Sequence, residues 1–316
     1  MSSEAPATKR QRTEEVSITM CSELWFSDGN VVLQAGNTQF RVHWGILAHN
    51  SLVFHEMQEL LQPPEHPGIE GCPVVELSDD AEDVGYLLNA LYTPTFHSQK
   101  TLSLPVLRAL LRLGRKYGFK DLRDSAATRI TTEYPTTLQE NDALPDSWET
   151  IEWYEGMIFD IVTLISENNI LTALPLACYR AVQLTTIDDL FDGILKEDGT
   201  RASLSPGDLR RCLRARQKLL VKQFEPGYTF GWARKWEFAD CASPAVCDYS
   251  RETILANYME DYAIYAFLKP DLNDYTFCVA CTRHATDSMT AGRKKMWQEL
   301  PKIFDLPRWS ELKSGL

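Results

Sequence analysis

The chain has 316 residues, room for two modest domains, and 44% of them are hydrophobic, enough to fill real cores. Its formal net charge of -12 disfavours broad nucleic-acid binding and favours a soluble, self-repelling surface. No apolar run approaches the roughly 20 residues of a membrane-spanning helix, which excludes one, and Met-Ser-Ser-Glu-Ala at the start lacks the apolar region of a secretion signal, so the eight cysteines read as thiols or metal ligands.

In chain order, residues 1–19 are polar and without periodicity, the pattern of a disordered tail. Lys9, Arg10 and Arg12 form a basic cluster there, readable as a nuclear import signal or as an ordinary charged tail. A first domain follows over residues 20–135. Val31, Val32 and Leu33 are an apolar, β-branched run that predicts a strand, and Gly36-Asn37 has the composition of a tight turn with one residue at positive φ. Phe40, Val42 and Trp44 alternate with Gln39, Arg41 and His43, predicting a half-buried strand that runs through Trp44. Ile46-Leu47-Ala48 opens a helix, and Ser51 is placed to cap the next. Proline and glycine at Pro63, Pro64, Pro67 and Gly68 mark a loop before a strand over 74–78. A helix over 81–92, capped from 78–80, turns Val84, Leu87, Leu88, Leu91 and Tyr92 inward. A second helix runs from about 105 and closes at Gly118, and Leu122, Ala126, Ala127 and Ile130 lie on a third. Strands first and helices after argue an α+β domain, a small sheet with helices packed against it.

Asp28, Phe40, His43, Leu47, Ala48, Ser51 and Phe54 stand in fixed spacing: an Asp before the strand, then Phe-x-x-His, then Leu-Ala-x-x-Ser-x-x-Phe. With these residues the segment resembles the opening of a BTB/POZ domain, and the resemblance continues through the strand at 74–78, the helix at 81–92 and the helix pair from 104 to about 134. In overall character the chain is most similar to the BTB-domain proteins expanded in mushroom-forming fungi. The resemblance implies protein binding and homodimer formation, with Asp28, Phe40, His43, Leu47, Ser51 and Phe54 as interaction-core or fold positions. It also implies cullin-3 as a partner, since some members are ubiquitin-ligase substrate adaptors. Many dimeric transcription-factor members pair a buried Asp with a basic residue just before the Ser; here Asn50 stands in that place. Asp28 is then either a buried carboxylate held by hydrogen bonds or the cap of the turn at Gly29-Asn30.

Residues 136–150 read as a linker around Pro145, and 151–316 as a mostly helical C-terminal domain. Ile151, Tyr154, Ile158, Ile161, Val162 and Ile165 share one predicted helix face; further helices are expected over 173–185, from Thr186 over 187–195, and from Ser205-Pro206 onward. The last carries a stripe of Arg210, Arg211, Arg214 and Lys218, readable as a solvated face or as a surface for an acidic partner. Met296, Trp297, Leu300, Phe304 and Trp309 are expected to pack the terminus back on the helical domain.

Chemistry is concentrated in residues 241–284. Cys241 and Cys247, with Cys278 and Cys281 as a CxxC pair, supply four thiolates for a tetrahedral, structural zinc, with His284 as an alternative ligand. The same cysteines also read as small buried hydrophobes or, for the CxxC, as a redox pair. No G-x-S-x-G, H-E-x-x-H, P-loop or dinucleotide-binding glycine set is present, so the chain reads as a non-enzyme without an organic cofactor. The expected function is a protein-interaction or assembly module of the nucleus or cytoplasm, with a nuclear transcription-related scaffold as the alternative and a metal-dependent enzyme third. Membranes and nucleic acid are not expected partners.

Overall fold

The computed structural model describes residues 18–57, 68–96, 98–234, 238–260, 263–269 and 271–315. Lys9, Arg10 and Arg12, and the tail to which they belong, lie outside the described residues. The chain divides into two compact units. One takes the chain up to Ser98 together with Leu113–Leu122; the other takes Gln99–Arg112 and Arg123–Leu316.

The first unit is built on a four-stranded sheet, β1 (Thr19–Trp25), β2 (Val31–Ala35), β3 (Thr38–Val42) and β4 (Val74–Leu77), in the order β1-β3-β2-β4. Val31, Val32 and Leu33 are buried without alternation because β2 is an inner strand, paired antiparallel with β3 and parallel with β4. Ala35 faces Thr38, so the hairpin closes on Gly36-Asn37 alone, and Gly36 takes φ +55. Strand β1 has no sequence signal of comparable strength. Thr-Met-Cys-Ser-Glu-Leu-Trp lacks a regular apolar period, and only Leu24 of it is buried. It forms through its parallel pairing with β3, which also breaks register between Met20 and Trp25. Strand β3 ends at Val42, not at Trp44: His43 keeps an extended backbone, and Trp44 is the first residue of α1 (Trp44–Asn50), buried by that helix.

Helix α2 (Leu52–Met57) starts where the sequence placed its cap, since Ser51 Oγ accepts the N–H of Phe54 at 3.0 Å. Helix α3 (Ala81–Tyr92) is capped by Asp80, which accepts the N–H of Glu82, and it buries Val84, Leu87, Leu88 and Ala90. Leu91 and Tyr92, expected inward, are half-buried. Helix α4 (Leu104–Tyr117) stops at Gly118, φ +73, before α5 (Lys120–Glu133).

The second unit, which also holds α4 up to Arg112 and α5 from Arg123, is largely helical: α6 (Leu138–Ala143), α7 (Met157–Glu167), α8 (Leu174–Leu184), α9 (Ile187–Asp192), a short antiparallel pair β5 (Ile194–Leu195) and β6 (Arg201–Ala202), α10 (Pro206–Lys222), α11 (Gly231–Arg234), α12 (Pro244–Glu260) and α13 (Val279–Ile303). Helices α7 and α8 are apolar on almost every side and buried accordingly. Two expectations shift here. Ile151 and Tyr154 are not on α7: Ile151 forms a β-bridge with Leu102, and Gly156, at φ +87, sets the start of the helix after them. Helix α9 does not reach Leu195, because Gly193 at φ +75 ends it and Ile194-Leu195 turn into β5. The terminus packs back as expected. Met296, Leu300 and Phe304 are buried, Trp297 Nε1 donates to the Thr136 carbonyl at 2.9 Å, and Trp309 stacks on Trp297.

Candidate functional site: a sheet edge and a four-cysteine cluster

Most of the fixed positions in the first unit hold the fold and face inward. Phe40, Leu47, Ala48 and Phe54 are buried, and Phe54 sits against Trp44 and Phe119 at centroid distances of 5.6 and 5.8 Å. Ser51 is buried between α1 and α2; besides capping α2 it donates to the Tyr117 carbonyl at 2.5 Å, tying the end of α4 to that corner. His43 donates its backbone N–H to the Tyr92 hydroxyl at 2.8 Å, and Tyr92 stacks on Phe26. Burial raises the Tyr92 pKa, keeping the phenol neutral.

Asp28 differs from both sequence readings. Its side chain is 81% exposed, with Oδ1 3.3 Å from His43 Nε2. It does not cap the turn, since the Gly29 and Asn30 N–H groups donate to the Phe26 and Val42 carbonyls. An exposed carboxylate avoids the desolvation cost that made its lack of a basic partner look difficult. A buried carboxylate does exist, at Asp79, which sequence reading treated only as part of a helix start. Asp79 accepts from Lys116 Nζ at 2.7 Å and from the Tyr117 hydroxyl at 2.5 Å. Nothing short of the fold brings 79 and 116 together.

The outward side of this unit is apolar in places. Among the described residues, strand β1 is an end strand of the sheet, paired with β3 on one side only. Ile18 beside it is 56% exposed, Met20 on it 58%, and Leu52 at the start of α2 65%. An end strand offers backbone N–H and C=O groups to a further strand, and large exposed apolar side chains gain from being covered.

In the second unit the four cysteines of 241–281 come together. Their sulfur atoms all lie within 4.8 Å of one another, and all four are free thiols. Cys241 is in the turn before α12, Cys247 in the first turns of α12, Cys278 at the N-cap of α13 and Cys281 in its first turn. Cys247 and Cys281 are buried, and Cys241 and Cys278 are half-buried. Below them Ile254 of α12 and Ala285 and Met289 of α13 enter an aromatic core with Phe224, Phe230 and Trp232. One backbone donor points at the sulfurs: the Cys278 N–H reaches Cys247 Sγ at 3.2 Å. The nearby backbone amides of Cys281 and Ala242 pull the Cys278 pKa down to about 6, whereas burial pushes Cys247 and Cys281 up. His284 stands one turn further along α13, outside the group of sulfurs. Its Nε2 donates to Asp240 Oδ1 at 2.9 Å and its ring stacks on Phe238. That hydrogen bond lowers the Asp240 pKa.

The α10 stripe is occupied within the chain. Arg211 pairs with Asp208, and Arg214 and Lys218 pair with Asp305 at 4.0 and 3.1 Å, while Arg210 is exposed. No helix among the described residues is long and apolar enough to cross a membrane. Compared with known families, residues 24–133 match the model of the BTB/POZ domain, a span that takes in β2 to β4 and all of α1 to α5. Comparison with curated proteins finds no match for the chain.

Proposed function

We propose, proceeding from the BTB/POZ domain at residues 24–133, that this chain is a non-catalytic assembly protein. BTB/POZ domains act as protein-interaction modules. In this reading the domain pairs with a second copy of itself or with a scaffold of the cullin-3 kind, and the helical residues after it engage the protein to be delivered. Such an adaptor contributes effective concentration: it holds two macromolecules together and leaves the chemistry to its partner. The observation that carries the proposal is the exposed apolar edge at Ile18, Met20 and β1, a strand that pairs on one side only among the described residues. Addition of a strand from another polypeptide would satisfy the backbone groups and cover the side chains in one step.

Light scattering of the full-length chain during size-exclusion chromatography, with capture on the purified N-terminal domain of a cullin-3 protein, tests this. The wild type is expected as a dimer that is retained by the cullin. Met20→Lys places a charge on the edge and weakens self-association by about tenfold or more with little change in melting temperature, since that side chain contributes little to the core. A wild-type monomer that the cullin domain does not retain defeats the proposal.

A further inference from the structure

We propose that Cys241, Cys247, Cys278 and Cys281 bind one zinc ion in a closed, structural four-thiolate centre that joins the start of α12 to the start of α13. Four sulfurs around zinc at about 2.3 Å lie roughly 3.8 Å apart, so a group already within 4.8 Å contracts only slightly to close on an ion. Cysteines that serve only as small hydrophobes disperse among carbon side chains. Here four from three separate stretches converge on one point, without a disulfide between any two.

The backbone N–H of Cys278 already donates to Cys247 Sγ at 3.2 Å, the kind of contact that metal-bound sulfur accepts. Cys278 is the N-cap of the 25-residue helix α13, so the positive end of that helix faces the two net negative charges that four thiolates leave around Zn²⁺. An all-sulfur tetrahedral set suits zinc or iron. Zinc is the assignment because it binds such a site more tightly than ferrous iron and is not oxidised at the partly exposed side where Cys241 and Cys278 stand. All four positions are filled by protein, which leaves none for a reacting water.

His284 is a positioning residue in this centre. With Arg283 it holds Asp240, the residue before Cys241, against the first turns of α13. That pair fixes the loop that delivers Cys241.

The test is metal analysis of the full-length chain purified from zinc-supplemented medium. The expected result is one zinc per chain that survives dialysis against a chelator and is released by a mercurial reagent. Cys278→Ser places a residue favoured at helix N-caps there and removes one thiolate; its bound zinc is expected to fall at least tenfold, while Cys21→Ser, in the other unit, keeps its zinc. His284→Ala is expected to retain one zinc but to release it faster to a chromogenic chelator. Cobalt loaded into the wild type, a measurement that needs no variant, should give the intense absorption of tetrahedral thiolate-bound Co²⁺. No metal with four freely reacting thiols, stoichiometric iron, an octahedral cobalt spectrum, or full zinc in Cys278→Ser would overturn the proposal. Loss of zinc in His284→Ala would overturn the outer role given to that residue.

Discussion

Asp79 shows how much one buried carboxylate can organise. It stands just before α3, yet it receives the Lys116 ammonium and the Tyr117 hydroxyl from the end of α4. Asp79→Asn weakens both bonds and is expected to destabilise the first unit by about 2 kcal/mol, read from urea denaturation. The pH dependence has a definite sign. The bond to Asp79 raises the Lys116 pKa, and burial followed by the same carboxylate raises that of Tyr117. Both groups hold their protons more tightly when folded. Their contribution is therefore complete below the ordinary values of 10.5 for lysine and 10.0 for tyrosine, and is lost as pH rises through the raised ones. The stability gap between wild type and Asp79→Asn should be constant from pH 6 to about 9 and shrink above it; a gap that widens in alkali would contradict the assignment. Sequence alone could flag Ser51, because a Ser three residues before a buried Phe is a local cap. It could not flag Asp79, whose partners are 37 and 38 residues away.

Among the elements, those with a local cause were legible and those with a distant cause were not. The Gly36-Asn37 hairpin, the start of α3 after its cap within 78–80 and the Ser205 cap of α10 each depend on a few neighbouring residues, and each formed where expected. Strand β1 depends on an edge of β3 that its own residues do not announce. The β5–β6 pair depends on Gly193, whose positive φ turns the chain out of α9. Helix α13 carries a further distant requirement at Gly292. A Cβ there would lie 2.3 Å from the backbone carbon of Tyr228, so only glycine permits the helix to approach that strand of chain. One turn of sequence reading sees an ordinary helical glycine, for which alanine would be an improvement. The structure reverses the sign: Gly292→Ala is expected to cost about 3 kcal/mol through backbone displacement, measurable as a lowered denaturation midpoint. The neighbouring Arg293 is held by the Phe267 carbonyl and by Asp142, which leaves α13 little freedom to move aside.

At the scale of the molecule, the chain forms two compact units, and the second holds the four-cysteine cluster. A zinc-linked contribution of about 3 kcal/mol to the second unit would correspond to a fall of roughly 6–12 °C in its melting temperature on metal removal. Differential scanning calorimetry of the zinc-loaded wild type beside Cys278→Ser, which is expected to lose the metal, reads this directly; an unchanged second-unit transition would mean that the centre does not contribute to stability. By itself the amino-acid order determined what short-range physics can encode: apolar periods, turn glycines, caps, the spacing that marks the BTB/POZ domain, and the presence of one CxxC pair and a looser cysteine pair before it. Tertiary structure decided the rest. It moved Asp28 to the surface, buried Asp79, gave the basic stripe of α10 its internal partners, and brought Cys241 and Cys247 to Cys278 and Cys281. The reason is common to all four. Whether a charge is solvated or paired, and whether thiols converge or disperse, depends on which distant segments pack together, and that packing is a property of the whole unit that no short stretch of sequence contains.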